Sequence, residues 1–480
     1  MNFNEIYEKE LAFQADRRRA TVEFIKIISD LWYDKSIELV LFRNQLIDRN
    51  VSQILNLHEY AGEFVQKPIS IFDSVEIAQA IKTLDIPPAK LDIGKLTYEY
   101  HIEKYNNAMA FVADKLKDAS KNGSIKPKDV VLYGFGRIGR LVARELMTRT
   151  GKGSQLRLRA IVTRGDINET ILEKRAALLR NDSVHGDFPG TVLSDVKNNA
   201  LIINGTTVKI ISANAPEDID YTTYGINNAL VIDNTGAFRD KEALSRHLSS
   251  KGADKVLLTA PGKGVPNIVH GVNHFEHNPD KVDIFSAASC TTNAITPVLK
   301  AVDDSFGVKS GHLETIHAYT NDQNLVDNFH KKYRRGRAAA LNMVITETGA
   351  GSAVTKALPS FEGKLTSNAI RVPVPNGSLA ILNLNLENPT SVDGMNTIIK
   401  KYALEGDLVE QIKYELSDEL VSSDIVGSSA PSIYDSKATI VREDGKNVVL
   451  YIWYDNEYGY SHQVIRLAKY IAKVRRYTYY

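Results

Sequence analysis

The chain has 480 residues, 43% hydrophobic and 24% charged, with a formal net charge of +1. That is the composition of an ordinary globular protein too long for one small core, so two or three domains are expected. The balanced charge gives no field suited to nucleic acid or an anionic membrane, and no apolar run is long enough to span a bilayer. The acidic start, Met-Asn-Phe-Asn-Glu, lacks the apolar stretch of a secretory or transit signal. A single cysteine, Cys290, excludes an internal disulfide and fits a reducing compartment. A cytoplasmic protein binding neither nucleic acid nor membrane is the expectation.

Residues 1–125 read as an all-helical extension. Phe24, Ile27, Ile28 and Leu31 recur at helical spacing, and Ile37 to Leu46 and Val51 to Val65 extend that character. Asp73 and Glu76 form a candidate capping box for a helix through Thr83. Pro87-Pro88 interrupts it, and a further helix from about Lys95 to Ala119 ends near Asn122-Gly123. Arg17-Arg18-Arg19, flanked by Asp16 and Glu23, reads as a solvated helix face rather than an anion patch. Nothing here names a ligand, and an unknown partner for this segment is its functional alternative. The linker is Gly123-Ser-Ile-Lys-Pro127.

From Val130 short apolar strands alternate with amphipathic segments, the mark of an α/β sheet. Asp129–Tyr133 and Leu156–Thr163 read as strands, followed by Thr207–Ile211, Ala229–Asp233 and Lys255–Thr259. After Cys290, Gly311–Thr320, Ala369–Val374, Ser378–Leu386 and Val448–Trp453 suggest a mostly antiparallel sheet. Helices are expected around Val392–Tyr402, Leu408–Tyr414 and Ser461–Val474.

Three glycines, Gly134, Gly136 and Gly139, stand directly after the first of these strands and before a helix, enclosing Arg137 and Ile138. In that context Gly134 permits a tight turn, Gly136 lets backbone approach a pyrophosphate, and Gly139 allows close helix–strand packing. The helix N-terminus then faces phosphate. A purely structural turn is the plainer alternative. The second strand should end in an acid for the adenosine ribose, yet it ends Val162-Thr163-Arg164-Gly-Asp166. Thr163 and Arg164 suit a 2′-phosphate instead, and Asp166 serves only if the loop curls back. A nicotinamide dinucleotide is expected, with NAD and NADP both open.

Cys290 lies in Ser289-Cys-Thr-Thr-Asn293, between the apolar run Val282–Ala288 and a helix over Ala294–Val302. A helix N-terminus favours thiolate over thiol. Taken alone, the residue reads equally as a nucleophile or as an inert core cysteine.

Gly134-Phe-Gly-Arg-Ile-Gly-Arg140, Ala288-Ser-Cys-Thr-Thr-Asn293, His317-Ala-Tyr-Thr320, Arg335-Gly-Arg337, Thr346-Glu-Thr-Gly349, Arg371-Val-Pro373 and Trp453-Tyr-Asp-Asn-Glu-Tyr-Gly-Tyr-Ser461 occur in that order. Together they resemble phosphorylating glyceraldehyde-3-phosphate dehydrogenases over residues 128–480, and the resemblance says nothing about residues 1–125. It implies a Rossmann-type cofactor domain over 126–289 with 456–480 and an α+β catalytic domain over 290–455. It further implies Cys290 as nucleophile and His317 as general base, with NAD or NADP as cofactor and no metal. Thr320 and Arg371 then belong mainly to the site for the substrate's phosphate, and Arg335 contributes to both anion sites. Ser289, Thr291, Thr348 and Gly349 belong to the site for attacking inorganic phosphate. Asn456 holds the nicotinamide carboxamide with Tyr460 beside it, and Thr235-Gly236 passes under the adenine side. A homotetramer acting on glyceraldehyde 3-phosphate is the family expectation. Three departures stand out: Ala294 replaces a common second cysteine, Tyr133 precedes the first glycine, and Asn328-Phe329 replaces the Leu-Pro of many NAD-specific members. Erythrose-4-phosphate dehydrogenase is the rival relative; it typically loses the threonines that stand here as Thr320 and Thr348.

Overall fold

The computed structural model describes residues 3–121 and 125–480, so the expected helix end near Asn122-Gly123 lies outside the described residues. The chain divides into two compact units. One comprises Met1–Lys126 with Gly151–Ser154 and Arg475–Tyr480; the other comprises Pro127–Thr150 and Gln155–Val474. The two short outlying pieces had been assigned by sequence to the cofactor domain.

The first unit is rich in helix, as expected, but it is not all helix. Helix α1 (Phe3–Lys35) buries Phe24, Ile27, Ile28, Leu31 and Trp32 on one face. Its arginine cluster is solvated and ion-paired, Arg17 with Glu59 and Arg19 with Asp16. Where Ile37–Leu46 suggested more helix, the chain forms β1 (Glu38–Leu41) and β2 (Asn44–Gln45), an antiparallel pair. All four residues of β1 are buried, a continuous run that periodicity cannot tell from a helix segment. Phe42 and Arg43 make the tight turn with φ of 40° and 67°, left-handed values usually left to glycine or asparagine.

Helix α2 (Val51–Val65) opens with a capping box between Asn50 and Gln53. Helix α3 (Ile71–Thr83) is capped by Ser70, not by Asp73, which sits in its first turn and pairs with His101. Then come β3 (Ala89–Asp92), α4 (Ile93–Ile102) and α5 (Ala108–Lys115). The long helix expected over 95–119 is therefore broken, because Asn107 caps a new one. Asp92 is buried and ties these pieces together, accepting from the backbone N–H groups of Phe42, Arg43, Gly94 and Lys95.

The second unit begins with β4 (Lys128–Tyr133), α6 (Arg137–Thr148), β5 (Leu156–Thr163) and α7 (Glu169–Arg180). It continues through β6 (Val192–Asp195), β7 (Ala200–Ile203), β8 (Thr206–Ser212), β9 (Ala229–Asp233), α8 (Lys241–Ser245), β10 (Ala253–Leu258) and β11 (Ile284–Ser286). These strands make an eight-stranded sheet in the order β11-β10-β9-β4-β5-β8-β7-β6. It is parallel from β11 to β8 and antiparallel beyond. The order reverses around β4, and that switch point is where open α/β sheets leave a crevice for ligands.

Helix α9 (Cys290–Phe306) leads into a second eight-stranded sheet. Its elements are β12 (Val308–Ala318), β13 (Val344–Thr346), α10 (Ala350–Val354), β14 (Leu365–Val372), β15 (Ser378–Leu386), α11 (Val392–Leu404), β16 (Ile412–Glu415), β17 (Ser432–Asp435), β18 (Ile440–Val441) and β19 (Asn447–Tyr454). The order is β13-β14-β12-β15-β19-β17-β16, with β18 also on β19. It is mostly antiparallel, as expected, with parallel pairs β12–β14 and β16–β17. The expected helix at Leu408–Tyr414 gives way to β16, which is largely buried and pairs with β17.

Helix α12 (Tyr458–Ile471) precedes a last strand, β20 (Tyr477–Tyr479). That strand pairs in parallel with β3 and completes the first unit's sheet, β2-β1-β3-β20. Beside it Arg476 sits over the Trp32 ring and pairs with buried Glu38.

Candidate active site

Two strand-to-helix junctions build the site. At the first, Gly134 has a φ of 97°, and a Cβ there would meet the Thr235 side chain at 2.8 Å. Gly136 opens α6, and a Cβ there would meet nothing within 4 Å, so backbone is open to a ligand. A Cβ on Gly139 would come within 2.6 Å of the Gly134 carbonyl, so α6 can pack this close only with glycine. Arg137 at the head of α6 is held by Asp182 and Glu457, the neighbour of Asn456.

At the second junction Ala288 adopts a φ of 55°, a left-handed value that costs a non-glycine residue energy. Its carbonyl accepts from the Tyr460 hydroxyl at 2.8 Å, and Asn293 donates to the Ala287 carbonyl at 2.7 Å. Ser289 is the N-cap of α9, accepting from the Thr292 N–H at 3.0 Å. Cys290 is the first helical residue, its thiol left out of the cap. Parallel pairing of β12 with β14 places His317 directly opposite Arg371.

The consequence is a short chain of contacts. Cys290 Sγ lies 3.6 Å from His317 Nε2, and His317 Nδ1 lies 2.8 Å from Arg371 Nη1 and 2.7 Å from the Ala318 carbonyl oxygen. Arg371 Nη1 also reaches Ala318 O at 2.9 Å and Thr320 Oγ1 at 3.4 Å. Burial pushes the Cys290 thiol above its ordinary value, against the pull of the Arg371 charge and the Thr291 N–H. Burial and then the Arg371 charge hold His317 down to about 3. Both shifts favour the neutral forms of thiol and imidazole.

A cavity of about 810 Å³ has Cys290, His317, Thr320 and Arg371 on its wall, with Ser289, Arg137, Ile138, Asn456 and Tyr460. Asn456 Oδ1 accepts from Ser378 Oγ at 2.8 Å, which leaves the amide N–H groups to donate elsewhere. A smaller cavity of about 290 Å³ gathers Gly134, Thr163, Arg164 and Thr235. Gly236, with a φ of 66°, lies next in the chain. These residues fit a dinucleotide: backbone open at Gly136, a helix start for phosphates, and a buried Thr163 hydroxyl with no partner among the described residues.

Thr291, Arg335, Thr348 and Gly349 are not on the wall of the larger cavity. The Thr291 hydroxyl is turned to Tyr454 at 3.0 Å, Arg335 is held by Asp322 and by Thr346, and Thr348 Oγ1 accepts from the Ala350 N–H. Two participants had escaped the sequence reading. Tyr454, whose hydroxyl bridges Thr291 and Thr315, packs edge-on against His317; it stands inside the Trp453–Ser461 motif. Asp322, bonded to Thr320 and Arg335, had no motif position to mark it. Among the described residues no group of acids, histidines or cysteine could hold a metal, and no helix is long and apolar enough to cross a membrane.

Comparison with known proteins fits this geometry. Residues 128–241 match the family "Glyceraldehyde 3-phosphate dehydrogenase, NAD binding domain", and residues 289–456 match the corresponding C-terminal domain. A glyceraldehyde-3-phosphate dehydrogenase of Streptomyces coelicolor is 39% identical over 344 residues, 72% of this chain and 98% of that protein. One of Geobacillus stearothermophilus is 40% identical over 344 residues, again 72% and 98%. A "glyceraldehyde-3-phosphate dehydrogenase-like protein" of Pseudomonas aeruginosa is 50% identical over 457 residues, 94% of this chain and 98% of that protein, so the likeness there takes in the first unit. The chain belongs to the glyceraldehyde-3-phosphate dehydrogenase family and is an NAD(P)-dependent oxidoreductase.

Proposed function

We propose that the chain catalyses the reversible, phosphorylating oxidation of D-glyceraldehyde 3-phosphate to 1,3-bisphosphoglycerate, using NAD or NADP. The observation that carries this is the run Cys290–His317–Arg371 on one cavity wall, with Thr320 beside the arginine. Cys290 Sγ attacks the aldehyde carbon as the thiol proton passes to the carbonyl oxygen, giving a thiohemiacetal. The cofactor, when bound, supplies a nicotinamide that takes the hydride. His317 Nε2 takes the hydroxyl proton, leaving a thioester on Cys290. A phosphate oxygen then attacks the thioester carbonyl, the C–S bond breaks, and the thiolate recovers its proton from His317.

Arg371 has a second part in this reading. A guanidinium only donates, so while it sits on Nδ1 the neutral imidazole carries its proton on Nε2 and cannot act as base. A substrate phosphate that draws Arg371 away frees Nδ1 to hold the proton and donate to the Ala318 carbonyl. Nε2 is then a base facing sulfur. Arg371 and Thr320 thus bind the substrate's phosphate and make its presence a condition of catalysis, and unphosphorylated glyceraldehyde should lose kcat, not only affinity.

Ser289, Thr291, Thr348, Gly349 and Arg335 remain the proposed surroundings of the attacking phosphate; Asn456 and Tyr460 hold the nicotinamide end. Thr320 and Thr348 favour the three-carbon substrate over erythrose 4-phosphate. Turnover of both aldehydes, with and without inorganic phosphate, tests this, and phosphate-independent turnover favouring the four-carbon sugar would reverse it. An exposed apolar stretch that includes Leu325, Phe329, Tyr333, Leu341 and Met343 supports a homo-oligomer. A cytoplasmic location and an added interaction role for the first unit complete the proposal.

A further inference from the structure

The smaller cavity holds two arginines and no carboxylate. Thr163 ends β5, Arg164 follows it, and Arg175 reaches the same cavity from α7. An adenosine ribose with a free 2′-hydroxyl is ordinarily met here by an acceptor carboxylate. Asp166 is exposed and is not on this wall. The buried acid opposite Tyr133 in the sheet, Asp233, is already occupied by Thr235 and His247.

What the wall offers instead is donors. Thr163 Oγ1 is buried without a partner among the described residues, and so are the Tyr133 hydroxyl and Arg175 Nε. Burial lowers the Arg175 pKa below the ordinary arginine value. Arg175 is half-buried, and a buried donor such as its Nε with an unmade hydrogen bond is costly unless an acceptor completes it. Planar guanidinium donors match phosphate oxygens.

We propose that this chain prefers the 2′-phosphorylated cofactor, NADP, with Arg164 and Arg175 gripping the 2′-phosphate and Thr163 Oγ1 donating to it. The inference rests on the reading of the glycine turn as a dinucleotide site, and it adds Arg175, which no motif had marked.

The test needs no turnover. The full chain is titrated by calorimetry with 2′,5′-ADP and with 5′-AMP, alongside fluorescence titrations with NADPH and NADH. The wild type should bind 2′,5′-ADP and NADPH roughly 10- to 100-fold more tightly than their unphosphorylated partners, the scale of one or two charged hydrogen bonds. Arg175→Gln should remove most of that ratio while 5′-AMP binding stays within about twofold. Arg175→Lys, which keeps the charge, should retain part of it, and Arg164→Asp should turn the preference toward NADH. Equal or tighter binding of 5′-AMP and NADH by the wild type, or an unchanged ratio in Arg175→Gln, would overturn the NADP assignment and leave the dinucleotide site standing. Binding of none of the four would overturn the dinucleotide reading and this inference with it.

Discussion

Asp92 and Cys290 occupy comparable places, each at the point where a strand or extended segment turns into a helix. Their fates differ because of who caps the helix. Asp92 caps α4 itself and accepts four backbone N–H groups, so its carboxylate is fully engaged in holding the first unit together. In the second unit Ser289 takes the cap of α9, and Cys290 is left with a histidine at 3.6 Å and an open cavity. A half-buried reactive group stays available for chemistry when its neighbour performs the structural duty.

Substitutions at the two junctions sharpen that contrast. The largest effect is expected at Cys290→Ser, which should leave turnover of glyceraldehyde 3-phosphate below a few per cent, because a hydroxyl is barely ionised near neutral pH. Cofactor titration should be nearly unchanged. Retained turnover in a steady-state assay would break the covalent reading. His317→Asn should slow hydride transfer by roughly 10²–10⁴-fold, the range for a lost general base; single-turnover kinetics report it.

At the other junction the effect is on folding. Asp92→Ala strands buried N–H groups and should cost about 3–5 kcal/mol in the first unit. Hydrogen exchange should show it as lost protection at Gly94, Lys95, Phe42 and Arg43. If Asp92→Ala leaves those amides as protected as before, the carboxylate is not the tie described. Removing residues 475–480 takes away an edge strand and leaves Glu38 buried without Arg476, at roughly 2–4 kcal/mol. Faster proteolysis within residues 1–126 would register that loss, and unchanged cleavage would count against it.

The last expected effect is on pH dependence. Burial and the Arg371 charge hold His317 at about 3, below its ordinary 6.5. Between those values the folded protein binds fewer protons here than the unfolded chain. The stability from the neutral ring is therefore full above about pH 6.5 and lost as pH falls toward about 3. Melting of His317→Gln from pH 7 to 4 should decline less steeply than melting of the wild type; parallel declines would mean the ring is solvated.

The candidate site was legible as a cluster because its residues sit in contiguous motifs at turns: glycines between a strand and a helix, a cysteine opening a helix, a histidine and an arginine later brought opposite by strand register. Arg175 was not legible, since it lies mid-helix and only the packing of α7 brings it to the cavity. The first unit's sheet was hidden for another reason. Its hairpin turns through Phe42-Arg43, residues with no turn signature, and its partner strands are distant in the chain. The break at Asn107 and the cap at Ser70 carried local signals that helical periodicity outweighed.

The pairing of β20 with β3 sets an order of events during synthesis. Glu38 and Arg476 are 438 residues apart in the chain. At roughly 5–20 residues per second on the ribosome, the edge of β3 waits on the order of 20–80 s for its neighbour. Throughout that time the nascent unit presents an unpaired strand edge, the feature most apt to recruit another chain. Production of the protein should therefore be sensitive to whatever shields that edge while the remaining residues are being made.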